Sequence, residues 1–403
     1  MPSTAFEFVA TSNWCVEATS VAEFMAKERS YLSLFKSAPT QLQEPDLGPD
    51  SQSPEAKLFY DVPSTGGFTV NQLVHESTPI TGSLITHLGQ TTIKDDSLLV
   101  LVEPHLALLE AYGDNRWLQF QLNSWPDAHH FPKVNTPSNW FNFGNKPKQR
   151  VKMYTLSDDL LEISKSCIYL SVRSSENNLY HWLFEVLPRL KCLDIIPQLR
   201  DLPLLLRNSL SAYQLHTLKL MGVNNPLLFT EGRSVQIPTL FFPSIPSPPS
   251  IHAETVHWLR EKLMGKLPQI SNPQRRLLIS RVDANTRRLT NEAEIMRALE
   301  PLGFEHIIMS KLSPSEQIDT IRNAKTIVLT HGAAGANLLF AAPNCAVIEL
   351  HSPRWPNSVY FTISKILGLP YAYLFGEHQN KQLDYAVDPK TLIQFIQSIE
   401  AIS

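Results

Sequence analysis

The stretch TIVLTHGAAGANLLFAAPNCAVIEL, residues 326–350, decides the fold. It reads as a β-strand, a turn of small residues, a short helix and a second β-strand. The turn carries His331, Gly332, Ala333, Ala334, Gly335, Ala336 and Asn337. A bend of glycine and alanine at the carboxyl end of a strand uncovers backbone N–H groups at the start of a helix. Such groups hold anions, because a helix N-terminus has unpaired donors and a partial positive charge. A phosphate-bearing ligand is therefore expected to dock here.

Outward from this stretch the chain alternates strand and helix. Strands are predicted at 276–280, 305–309, 326–330, 346–350 and 371–375, with helices at 291–302, 315–323, 334–340 and 359–367. Ser313-Pro-Ser-Glu316 has the form of a capping box with proline at the first helical position. Helices of this length between strands predict right-handed crossovers and a parallel sheet, whose ligands sit beyond the carboxyl ends of the strands. Arg281, His331 and His351 each follow one of those ends.

Towards the N-terminus the pattern loosens. The run PSIPSPPS, residues 243–250, stiffens the chain and reads as an interdomain linker. Before it, a helix is predicted at 179–195, a strand at 202–206, a helix at 211–221, and strands near 227–230 and 236–242. Residues 58–178 read mostly as β, with strands at 97–102, 117–120 and 167–172. A helix-like piece at 21–35 precedes the polar run SAPTQLQEPDLGPDSQSPEA, which suits a loop. The division expected is a peripheral segment over 1–55, an N-terminal domain over 56–250, a C-terminal domain over 251–385 and a C-terminal helix over 386–403.

Composition narrows the function. The chain has 403 residues, 43% hydrophobic, with a net charge of −3. That length predicts two domains. The absence of a basic block argues against a nucleic-acid partner. Neither a signal-peptide pattern nor an apolar run of about 18 residues is evident, so no transmembrane span and a cytoplasmic location are expected, with peripheral membrane association left open. The four cysteines, Cys15, Cys167, Cys192 and Cys345, form no CxxC pair and indicate neither zinc nor a disulfide framework.

Three constellations carry chemistry. In Leu278–Glu292, Arg281 sits at a strand end and Arg287 and Arg288 lie in the following loop. Guanidinium groups suit a diphosphate because they stay charged and bind oxygens as a fork; alternatively Arg287 and Arg288 are solvated, one of them paired with Asp283. The second constellation is the glycine turn, where Gly could equally serve close helix–sheet packing. His331 either touches phosphate or bonds its own loop. Glu349 at the next strand end either accepts from ribose hydroxyls or pairs with Arg354. The third is NNLYHWLFEVLPRL, residues 177–190. In a helix, His181 and Glu185 are neighbours at i and i+4, Arg189 lies a turn further, and Trp182, Val186 and Leu190 face the core. Pro188 predicts a kink or boundary. A His beside an acid is a candidate general base; it is also a common way to fasten a helix.

No GxSxG elbow, P-loop, GxGxxG or HExxH occurs. Asp127-Ala-His-His130 has ligand types without further identifiable ligands, and Asp95-Asp96 and Asp158-Asp159 read as turn or cap acids.

At the three constellations the chain resembles family 61 glycosyltransferases, whose pattern has an HWL-x-[DE]-x-LPRL helix, an ISR-x-DA…R…NE segment and an HGA-x-x-N-x-x-F turn, in that order. Here these read NNLYHWLFEVLPRL, ISRVDANTRRLTNE and HGAAGANLLFAAPNCAVIEL. The segments LPLLLRNSLSAYQLHTLKLMGV and LGLPYAYLFGE are also similar, so the resemblance spans roughly 160–387. It implies an α/β, GT-B-like fold of two Rossmann-like domains facing across a cleft, here with an extra β-rich N-terminal segment. It implies an inverting, metal-independent transfer of a sugar from a nucleoside-diphosphate sugar to an acceptor hydroxyl, in surface polysaccharide or glycan biosynthesis. The residues carried over are His181, Glu185 and Arg189, then Arg281 and the His331–Asn337 turn; with Arg287 and Glu349 from the reading above, the expected site has His181 and Glu185 as catalytic and Arg189, Arg281, Arg287, His331, Gly332, Ala333, Ala334, Gly335, Asn337 and Glu349 as donor-binding, with no metal and no cofactor. Glu185 stands where many members have Asp, and Ala334 and Ala336 where the commoner turn reads GLT. The alternatives from other classes are a nucleotide-sugar epimerase or hydrolase, which would consume donor without acceptor, and a non-catalytic nucleotide-sugar-binding protein.

Overall fold

The computed structural model describes residues 7–9, 15–34, 84–94, 99–103, 106–108, 160–172, 178–244, 251, 253–355 and 357–401. The strand expected at 117–120, the pairs Asp95-Asp96 and Asp158-Asp159, the Asp127–His130 run and most of the proline-rich run lie outside these residues. The chain divides into two compact units. The described residues of 1–37, 81–211 and 223–250 form unit one; those of 212–222 and 251–403 belong to unit two.

Unit two holds five parallel strands: Arg275–Ile279, Phe304–Ile307, Ala324–Thr330, Ala346–His351 and Tyr371–Phe375. Their spatial order is second, first, third, fourth, fifth. This doubly wound, Rossmann-like order reverses direction between the first and third strands, and ligands of such sheets bind at that point, beyond the carboxyl ends. The strands are near-continuous apolar runs because helices cover both faces. On one face Leu278, Val328, Ile348 and Leu350 pack with Ile295 and Leu299 of the Glu292–Leu299 helix and with Leu392, Ile396 and Ile399 of the Pro389–Glu400 helix. That last helix, set apart in the sequence reading, thus shares the core of the sheet, and Arg276 pairs with Glu400 at 2.7 Å to fasten it. The capping box forms as the sequence predicts: Ser313 accepts from the Glu316 amide, and Glu316 accepts from the Ser313 amide.

The short helix expected after the glycine turn is present as Ala333–Phe340, with 3-10 pitch. Its leading amides still have no partner inside the helix, but its dipoles are less well aligned than in an α-helix.

Unit one contains two mixed sheets among the described residues, of six and seven strands. The larger includes parallel neighbours Leu227–Phe229, Leu204–Leu206, Cys167–Tyr169 and Leu240–Pro243, extended antiparallel by Leu84–Leu88. The helix expected over 21–35 is shorter. It ends at Ala26, and Ser30–Ser33 is a strand paired with Leu84–Leu88. Arg29 in the left-handed region, at φ 58°, separates them.

The helix predicted over 179–195 is present but changes pitch three times: α at Leu179–His181, π at Trp182–Val186, 3-10 at Leu187–Lys191 and α at Cys192–Ile195. Pro188 explains where the change falls. It has no N–H to donate, so the ladder cannot run through it at constant spacing. The Leu187 amide reaches back five residues to the Trp182 carbonyl instead. Trp182, Val186 and Leu190 are buried as expected.

Candidate active site

Arg281 leaves the end of the first strand and His331 the end of the third, so the two flank the point where the strand order of unit two reverses. The half-buried guanidinium of Arg281 crosses its own loop, with Nε donating to the Thr286 carbonyl at 2.9 Å. It then lies against Gly332: a Cβ there would stand 2.0 Å from Nη1. Glycine at 332 is thus required by a side chain that must pass. Gly335 is needed for a different reason, because a Cβ there would meet the buried Tyr360 ring at 2.5 Å. Tyr360, at the start of the Val359–Ile366 helix, also donates its hydroxyl to the Gly332 carbonyl at 2.7 Å. It holds the turn from beneath, leaving Ala333 and Ala334 partly exposed.

Arg287 completes the cationic corner. Its backbone sits at φ 57°, a strained position for a non-glycine residue, and its amide donates to the Gln382 carbonyl at 2.9 Å. The half-buried side chain lies over the Trp355 ring, 5.5 Å from its centroid. Burial lowers the pKa of both arginines, and the charge of Arg281 lowers Arg287 further. Among the described residues, no carboxylate forms an ion pair or hydrogen bond with either guanidinium. Arg288 differs: it pairs with Asp384 at 2.9 Å and staples the loop. The alternative pairing with Asp283 does not form, since Asp283 accepts from Ser310 instead.

Beneath the corner is a buried polar network. His331 Nδ1 lies 2.5 Å from Glu349 Oε1, the Tyr371 hydroxyl donates to Oε2, and His351 Nε2 is 3.4 Å from Oε2. His331 and His351 stack with centroids 5.2 Å apart. Glu349 is 0% exposed. Burial alone would raise its carboxyl, but His351 and His331 outweigh that and bring it down to about 2. Burial lowers His331, against the pull of Glu349. The expected Glu349 contacts are corrected here. The carboxylate is enclosed and engaged by His331 and Tyr371, so neither a ribose nor Arg354 is its partner. Asn337 is also 0% exposed, accepting from Tyr213 at 2.8 Å and donating to the Ala334 carbonyl at 3.2 Å. It braces the turn and presents nothing to a ligand.

Arg189 needs the clearest correction. It is 0% exposed within unit one, where its guanidinium donates to the carbonyls of Pro243, Tyr169 and Ser171 and lies over Phe242. Burial lowers its pKa to about 10. It ties the pitch-changing helix to two strands and has no surface left for a donor. In the same helix His181 Nδ1 and Glu185 Oε2 lie 2.8 Å apart, with Glu185 buried and His181 more open. This pair therefore meets as the i, i+4 spacing predicts, with His181 at the end of the α segment and Glu185 in the π-turn, a deviation often found at functional sites.

Among the described residues, His331, Glu349 and His351 bring three ligand-type atoms within 4.8 Å of one another. A zinc ion bonded to His331 and Glu349 at about 2 Å would hold those atoms roughly 3 Å or more apart. The 2.5 Å observed is hydrogen-bond spacing, so the group reads as a proton-shared network. Sequence reasoning missed Tyr360, Tyr371, Tyr213 and Trp355, which carry no motif of their own.

Residues 179–348 match the family model described as Glycosyltransferase 61. Over this segment the chain is similar to that family. The match begins at the His181 helix and runs through Arg281 and the glycine turn to the fourth strand of unit two, which is narrower than the resemblance read from the sequence. No curated protein matches the chain. The description of that family names glycosyl transfer as its chemistry. No described helix is long and apolar enough to cross a membrane.

Proposed function

We propose that this chain is a family 61 glycosyltransferase and takes its sugar from a nucleoside-diphosphate donor whose diphosphate binds between Arg281, Arg287 and the Gly332–Ala334 amides. One observation carries the reading. Two half-buried guanidiniums stand at the switch point of a doubly wound sheet, and among the described residues no carboxylate forms an ion pair or hydrogen bond with them, Asp283 acting on Arg281 only through its charge. Like charges held together at a cost point to a place prepared for an anion. As the glycosidic bond breaks, negative charge grows on the diphosphate, and preorganised cations and amides stabilise it without reorganising. Two fixed arginines can supply the neutralisation that a metal ion supplies elsewhere, so transfer is expected to be metal-independent.

The His181–Glu185 pair is the proposed base. Glu185 Oε2 lies 2.8 Å from His181 Nδ1, and the imidazole would take the acceptor hydroxyl's proton. Attack opposite the leaving group would invert the anomeric centre. A GT-B arrangement, a hexosyl or pentosyl donor, a glycan acceptor in surface polysaccharide synthesis and a cytoplasmic site of action belong to the same proposal and rest on the family resemblance.

The test is incubation with a panel of nucleoside-diphosphate sugars and hydroxyl acceptors in excess EDTA, with product anomers assigned by NMR. Transfer with inversion supports the reading. Donor consumption without acceptor would instead indicate an epimerase or hydrolase, and activity abolished by EDTA would remove metal independence.

A further inference from the structure

We propose that Trp355 is the stacking platform for the nucleobase of the donor. The inference rests on the diphosphate reading above and names the part of the substrate that the loop after the fourth strand recognises.

Trp355 lies four residues beyond the end of the Ala346–His351 strand, on the same carboxyl edge as Arg281 and His331. Its loop is held by a hydrogen bond from its own amide to the Ser352 carbonyl at 3.0 Å. The indole is 49% exposed, although indole is among the most costly side chains to leave in water. Its surroundings are not those of an incidental surface residue. The Arg287 guanidinium covers the ring at 5.5 Å, and burial lowers the pKa of that arginine. Arg287 is held there from a left-handed backbone at φ 57°. A strained residue thus links an aromatic plate directly to the cationic corner.

The chemistry selects the occupant. A nucleoside diphosphate has a planar π-system joined through ribose to a dianionic group, and the structure has an indole joined through a guanidinium to a second guanidinium. Arg287 serves both halves: its charge meets the diphosphate, and its plane backs the indole. A nucleobase stacks face to face on the exposed indole, whereas a sugar ring would offer only C–H edges to it. Base stacking tolerates many bases, so Trp355 contributes affinity for the nucleoside without by itself choosing which one.

Calorimetric titration of the full-length wild type, Trp355→Ala, Trp355→Phe and Arg287→Ala separates the possibilities. The probes are UDP, GDP, CDP and dTDP, inorganic pyrophosphate, and a hexose 1-phosphate. Loss of one base–aromatic stack is worth about 1–3 kcal/mol. Trp355→Ala is therefore expected to weaken the best nucleoside diphosphate by roughly 5- to 150-fold and to leave pyrophosphate unchanged; Trp355→Phe should recover most of the loss, and Arg287→Ala should weaken both ligands. Equal weakening of pyrophosphate in Trp355→Ala would show that the indole acts only by placing Arg287, and would overturn the stacking role. So would unchanged nucleoside-diphosphate affinity, or a loss confined to the hexose 1-phosphate. If the wild type binds neither nucleoside diphosphates nor pyrophosphate, the diphosphate reading itself fails.

Discussion

The guanidinium of Arg281 lies against the bare α-carbon of Gly332, so closely that a methyl group there would stand 2.0 Å from Nη1. The obstacle is the far end of a flexible side chain, so Gly332→Ala should displace Arg281 rather than the backbone. Its turnover is expected to approach that of Arg281→Ala, about 10²-fold or more below wild type, the effect of losing one transition-state donor. Thermal stability should change little. Steady-state kinetics beside a melting curve checks this: wild-type turnover in either variant removes Arg281 from the chemistry.

Gly335→Ala should behave in the opposite way. The methyl would meet the buried Tyr360 ring at 2.5 Å, and the ring is enclosed and cannot swing aside. Overpacking of this kind costs about 1–3 kcal/mol. Denaturant unfolding should show the loss. A variant as stable as wild type would mean that the helix bearing Tyr360 yields.

These two glycines show what was legible in the sequence. The alternating pattern placed the five strands of unit two because their apolar runs are long and their helices amphipathic. It also placed Arg281 and His331 at neighbouring strand ends, since strand ends follow from strand positions. It did not reveal that Gly332 makes room for an arginine and Gly335 for a tyrosine, because those contacts join residues far apart in the chain. For the same reason Arg189 and Glu349 looked like ligand residues. A charge in a motif does not disclose whether it meets carbonyls at 2.7 Å or solvent.

Arg189 should matter for stability and not for the donor. Arg189→Ala leaves three buried carbonyls without their donor and removes a large buried side chain, so a loss of roughly 3 kcal/mol or more is expected. Arg189→Lys keeps the charge but not the fork and should recover only part of it. Unfolding curves measure the stability, and calorimetry on the folded fraction should give wild-type donor affinity. A selective loss of donor affinity would return Arg189 to the binding site.

Acid should weaken unit two through His331 and Glu349. Both have lowered pKa values in the fold, so the unfolded chain binds protons more readily and stability falls with falling pH. The contribution of His331 is fully present above its ordinary value of 6.5 and is lost as pH drops through its lower folded value. That of Glu349 is present above 4.5 and is lost on the way down to about 2. Melting temperatures from about pH 7 to about pH 2 should decline, and Glu349→Gln should flatten the limb below 4.5. A profile identical to wild type in that variant would contradict the assignment.

His181→Ala should reduce turnover more than donor affinity, because the proposed base touches the acceptor proton and not the diphosphate. Separate measurement of kcat and of donor Kd decides it. Weakened donor binding with unchanged kcat would exclude His181 as the base.

The most direct test of the central claim is calorimetric titration of a nucleoside diphosphate into wild type and into an Arg281→Ala/Arg287→Ala double variant, in EDTA. The account predicts saturable one-site binding to wild type and its loss in the double variant, with the melting curve of the ligand-free protein preserved. Wild-type affinity in the double variant would place the diphosphate elsewhere and contradict the account.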